Sequence, residues 1–80
     1  MIIDLTERER EIAVLVAQGL CNKEIGRALG ISHQTVKNHL TAIYDKWKIN
    51  GRTQLVIVVF ALEWVRPFDA YSVMVGYGRQ

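Results

Sequence analysis

ISHQTVKNHLTAIYDKW, residues 31–47, places Val36, Leu40, Ile43 and Trp47 at helical spacing. With about 100° between successive residues, Leu40, Ile43 and Trp47 fall within roughly 40° of Val36, the stripe that a helix buries against a core. Gln34, Asn38, Thr41 and Asp45 collect on the opposite side, Lys37 and Lys48 lie on one flank, and His39 and Tyr44 sit at the edges of the apolar stripe. Ser32 is a good N-cap, its hydroxyl able to accept from the Thr35 backbone N–H, so the pattern predicts a helix over 33–47.

Upstream, Thr6 and Glu9 have the S/T-x-x-E form of a capping box, and Ile12, Leu15 and Val16 recur at helical spacing until Gly19, predicting a helix over about 7–18. A second, short helix over about 22–29 turns Ile25, Ala28 and Leu29 inward and stops at Gly30. Only Ile31 and Ser32 separate it from the next helix, and two helices joined by so short a glycine-containing turn form a helix-turn-helix.

Downstream, Asn50-Gly51 breaks the chain, Thr53 can cap, and TQLVIVVFALEW reads as a fourth helix until Val65, since Pro67 disfavours helix just before it. Valine and isoleucine dominate this run, so a strand competes with the helix; its length and its helical company favour helix. Its apolar residues wrap the whole cylinder, which in a small domain points to an outer face meeting another subunit, with Val56, Val59, Phe60, Glu63 and Trp64 as the expected interface. From Tyr71 to Tyr77 the tail alternates with period two, so residues 66–80 are expected to be strand-like or loosely ordered. The expected architecture is all-α: a four-helix helix-turn-helix domain over 1–65, then a short non-helical C-terminal tail.

Eighty residues make one small domain, and a chain of this size buries only roughly 60% of its unfolded surface, so help from a partner subunit is expected. A lone cysteine, Cys21, excludes an internal disulfide, and no Cys/His cluster has metal spacing, so neither a metal nor another cofactor is expected. The opening MIIDLTERERE lacks the basic-then-apolar form of a secretory leader, and no apolar run approaches the roughly 18 residues of a membrane span. A soluble, cytoplasmic protein without a membrane partner is the expectation. Net charge is only +2, but its distribution is uneven: Lys23, Arg27, Lys37, Lys46, Lys48 and Arg52 against Glu24 and Asp45 give residues 21–52 a charge of +4. An excess centred on the helix-turn-helix suits a surface that meets phosphates.

The polar face of helix 33–47 has a matching chemistry. An α-helix fits the DNA major groove, where bases are read by lysine donating to guanine, asparagine or glutamine pairing with adenine, and threonine bonding either base or touching a thymine methyl. Gln34, Lys37, Asn38 and Thr41 supply those groups within two turns. Asp45 would be repelled by phosphates, but it lies a turn further on, where a tilted helix leaves the groove. Nothing in the sequence pairs a nucleophile with a base or forms a phosphate loop, so catalysis is not expected.

The strings LTERERE and GLCNKEIGRALGISHQTVKNHLTAIYDKWKINGRTQLV together resemble the LuxR/GerE-type helix-turn-helix of bacterial transcription regulators over about residues 5–64. The parts arrive in order: LTxRE, GLxNKEIxxxL, IS, TVKxHL and the Arg-Thr-Gln that opens the last helix. The resemblance implies a four-helix DNA-binding domain of bacterial or phage origin that dimerises through its last helix, with the third in the major groove. It implies base contacts at Lys37, Asn38 and Thr41, and phosphate contacts or bracing at Lys23, Thr35, His39 and Arg52; Ser32, His33 and Lys48 join this second group from the ends of the same helix. Three departures stand out: Cys21, a weak acceptor, replaces the usual serine before Asn-Lys; Gly26 replaces a small residue that is commonly alanine; and His33 replaces a common glutamate.

The function expected is therefore sequence-specific transcription regulation by a homodimer on an inverted repeat of double-stranded DNA, with RNA polymerase or another regulator as a further partner. A sigma-region-four-like promoter module, or a protein-interaction module gripping through helix 53–64 and the tail, are the rival readings. The chain leaves no room for a phosphoacceptor or ligand-sensing domain, so regulation is expected through abundance, a partner or a larger parent protein.

Overall fold

The computed structural model describes residues 5–65 and contains, in chain order, α1 (Glu7–Ala17), α2 (Asn22–Leu29), α3 (His33–Trp47) and α4 (Arg52–Ala61). The tail expectation for 66–80 lies outside the described residues. The second and third helices have the expected limits, the first ends one residue early, and the run with competing helix and strand readings is helical.

Local chemistry explains each start. Thr6 and Glu9 close a reciprocal box on α1: the Glu9 N–H donates to Thr6 Oγ1 at 3.1 Å and the Thr6 N–H donates to Glu9 Oε1 at 2.9 Å. Ser32 caps α3 as expected, accepting from the Thr35 N–H at 3.0 Å. On α2 the glutamate half of a box survives the cysteine, since the Cys21 N–H donates to Glu24 Oε1 at 2.8 Å. That hydrogen bond from the Cys21 backbone is the chief reason the exposed Glu24 carboxyl titrates below its ordinary range. The α4 cap departs from expectation. Thr53 lies inside the helix, Gly51 takes the cap position without a side-chain bond, and Gln54 reaches back so that the Asn50 N–H donates to its Oε1 at 2.6 Å.

The end of α4 is a second correction. The helix stops at Ala61 rather than at Val65, because Glu63 adopts a left-handed φ of 61° and turns the chain. The Glu63 N–H donates to the Phe60 carbonyl at 3.0 Å and the Trp64 N–H to the Val59 carbonyl at 3.2 Å, the paired bonds of a Schellman closure. The turn carries Trp64 back onto the domain: its ring centre lies 5.7 Å from that of Trp47, and the Arg10 guanidinium sits 4.4 Å from it. Packing of the half-buried Trp64 on Trp47 of α3 and Arg10 of α1, together with the burial of Val65, thus replaces the last helical turn that the apolar pattern suggested.

The core joins Ile12, Ala13 and Val16 of α1, Ile25 of α2, Val36, Leu40, Ile43 and Trp47 of α3, and Leu55 and Val59 of α4. Contacts are most extensive between α1 and α4 and between α2 and α3, so α1–α4 forms a base on which the α2–turn–α3 unit is mounted. Ala28, expected to face inward, is exposed; Ile25 and Gly26 carry the buried side of α2. One ion pair ties the two ends of this arrangement together. Lys46 Nζ, near the end of α3, donates to Glu9 Oε1 in the first turn of α1 at 2.7 Å, and the Glu9 side chain is almost wholly buried.

Candidate nucleic-acid interface

The polar face of α3 is built by the fold of its opposite side. With Val36, Leu40 and Ile43 locked into the core, Gln34, Lys37, Asn38 and Thr41 are all exposed, together with Asp45 and Lys48. The four residues expected at base edges share one face, and two contacts order them. Gln34 Nε2 donates to Asn38 Oδ1 at 3.1 Å, and Thr41 Oγ1 donates to the Lys37 carbonyl at 3.0 Å. The Lys37 side chain makes no hydrogen bond or ion pair among the described residues, so its ammonium is left to solvent or a ligand.

The N-terminus of α3 carries a compact hydroxyl pair: Ser32 Oγ lies 2.9 Å from Thr35 Oγ1. His33 is exposed and His39 half-buried, which leaves room for one imidazole at each end of the first two turns. Lys48, just past Trp47, ends the helix with a left-handed φ of 57°.

Arg52 acts mainly as a brace. Its Nη1 donates to Asn22 Oδ1 at 3.0 Å and its Nη2 donates to the Leu20 carbonyl, so the first residue of α4 holds the loop that starts α2. The exposed Lys23 joins Arg52 at the rim of a shallow depression lined also by Gly19, Leu20, Cys21 and Asn22. On the buried side of the brace, desolvation pushes the Tyr44 phenol up, with the positive charge of Arg52 opposing it. The arrangement offers donors and cations on one edge of the helix-turn-helix; Glu24 is spent on capping α2, and Asp45 is an exposed acid one turn beyond Thr41 on α3.

Sequence reasoning missed two features of this region. Lys46 reads as a solubilising residue at a helix end, whereas its partner Glu9 lies 37 positions away, and nothing in local spacing connects them. The Gln34–Asn38 bond was within reach, since glutamine and asparagine four apart on a helix are known to pair.

A family model described as "Bacterial regulatory proteins, luxR family" matches residues 4–59. The chain belongs to that family. Its helix-turn-helix is a DNA-binding one of the LuxR type, found in transcription regulators. Among similar proteins, the transcriptional regulatory protein DegU of Brevibacillus brevis is 45% identical over 62 residues, covering 78% of this chain and 26% of its own length. The response regulator protein VraR of Staphylococcus aureus is 48% identical over 56 residues, covering 70% of this chain and 27% of its own. The chain thus spans about a quarter of the length of the curated relatives it matches. The LuxR-family segment takes in all of α1, α2 and α3 and most of α4. Among its described residues no helix is long and apolar enough to cross a membrane, and no cluster of histidine, cysteine or acidic residues could hold a metal ion.

Proposed function

We propose that two copies of this chain bind an inverted repeat in double-stranded DNA, each inserting α3 into the major groove to select a sequence for transcription regulation. The observation that carries the reading is the grouping of Gln34, Lys37, Asn38 and Thr41 on the one face of α3 that the core leaves exposed. Lys37, Asn38 and Thr41 read base edges, while Ser32, His33, Thr35, His39, Lys23 and Lys48 meet phosphates and set register. Arg52 supports them by holding the start of α2. RNA polymerase or another regulator is the further partner through which binding acts on transcription.

Dimerisation through α4 is supported by its outer face, in a revised form. Val59 is fully buried and Trp64 is engaged with Trp47 and Arg10, so neither is free to form the centre of an interface. Val56 and Phe60, each half-buried, flank Ile57, which is 61% exposed, and with Ala61 they make the apolar surface opposite Leu55 and Val59. An aspartate at Ile57 would place a charge where two such faces meet. Ile57→Asp is therefore expected to leave the fold intact and convert dimers to monomers in sedimentation; a wild-type chain that is already monomeric when bound to its enriched DNA site would exclude this interface.

The reading itself is tested with Lys37→Ala. Loss of the ammonium should weaken binding to the best site by about 10- to 100-fold, the span of a specific base contact, and flatten preference at one position per half-site. Equal affinity of variant and wild type for an enriched duplex, measured by fluorescence anisotropy, would remove Lys37 from the interface.

A further inference from the structure

The bond between Gln34 and Asn38 assigns a direction to recognition that residue types alone leave open. A free asparagine offers its carbonyl oxygen and its amide equally, which is why it pairs so well with adenine, accepting from N6 and donating to N7. Here Asn38 Oδ1 already accepts from Gln34 Nε2 at 3.1 Å, while no partner within the described residues takes the two hydrogens on Asn38 Nδ2. We propose that Gln34 is a positioning residue for sequence reading: by holding the carbonyl end of Asn38 it presents that side chain to the groove as a net donor, favouring guanine, with acceptors at both O6 and N7, over adenine.

This inference rests on the DNA-reading proposal and refines it. Thr41 shows the same kind of commitment with opposite sign. Its hydroxyl hydrogen is used on the Lys37 carbonyl at 3.0 Å, so the side chain faces outward with oxygen lone pairs and a methyl group. The face therefore has donors at Lys37 and Asn38, followed one turn later by an acceptor and a methyl at Thr41. Such a face fits a guanine-bearing step next to a base that carries an exocyclic amine or a thymine methyl.

The test is selection from a random duplex library by the full chain, repeated with Asn38→Ala, Gln34→Ala and Lys37→Ala. The position that Asn38 reads is the one at which Asn38→Ala erases preference. There the wild type should favour guanine over adenine, and Gln34→Ala should move that ratio about twofold towards adenine, the factor that a helical side-chain hydrogen bond four residues apart is worth. Other positions should keep their preferences. Adenine preferred by the wild type at that position, no preference erased by Asn38→Ala, or a ratio untouched by Gln34→Ala each overturns the assignment, while a preference still lost in Lys37→Ala leaves DNA reading standing. A wild-type chain that enriches no sequence overturns the reading and this inference together.

Discussion

Gly26→Val is expected to destabilise the domain by about 3 kcal/mol, because overpacking a site closed by backbone leaves nothing soft to yield. A Cβ at Gly26 would lie 2.6 Å from the Ile31 carbonyl oxygen and 3.4 Å from the His33 nitrogen, both in the backbone of the turn that links α2 to α3. The Gly26 carbonyl accepts from the Ile31 N–H at 2.9 Å, so moving the turn outward to admit a side chain also breaks that bond. Valine adds two methyl groups beyond the Cβ and has low helix propensity of its own. Native domains of this kind have only about 5–15 kcal/mol to lose, and the turn sets the angle of α3, so DNA binding should fall with stability. Urea denaturation followed by far-ultraviolet circular dichroism measures the loss. An unchanged midpoint would mean that the turn retreats freely and that close approach at Gly26 is incidental.

Glu9→Gln is expected to cost about 1–3 kcal/mol at neutral pH, a value below that of a fully buried pair because the Lys46 side chain remains about one-third exposed. Burial alone would raise the Glu9 carboxyl above its ordinary 4.5, but the Lys46 ammonium and the Thr6 N–H outweigh it, and the group titrates lower in the folded domain. The sign follows from linkage. A carboxyl whose folded value is depressed stabilises above its unfolded value and loses that contribution as pH falls through the folded one. Wild-type stability should therefore decline below pH about 4.5, and the gap to Glu9→Gln should close over the same range. Thermal melts from pH 7 to pH 3 read both curves. Parallel curves, with a constant gap down to pH 3, would show that the Lys46–Glu9 pair is not the source of the acid sensitivity.

Much of the fold was legible from short-range signals. The Thr6–Glu9 and Ser32–Thr35 caps, the stop at Gly30 and the Val36, Leu40, Ile43 and Trp47 stripe are set by residues within one or two turns of each other, and local energetics suffice to place them. The exposed face bearing Gln34, Lys37, Asn38 and Thr41 followed directly, since fixing one side of a helix fixes the other. The α4 region was less legible because valine, isoleucine, leucine and phenylalanine occur on all its sides, so the pattern carries no phase. Only packing against α1 distinguishes Leu55 and Val59, inside, from Ile57, outside.

The sequence by itself determined the helix-turn-helix, its caps and the chemistry of the exposed polar face of α3, because each depends on neighbours along the chain. The tertiary structure alone decided that α4 ends at Ala61, that Trp64 returns to Trp47 and Arg10, that Arg52 holds the start of α2 and that Lys46 meets Glu9. The turn at Glu63 is closed by local bonds, but the contacts of Trp64, Arg52 and Lys46 join residues far apart in sequence, and their energy exists only once folding has brought both partners to one place.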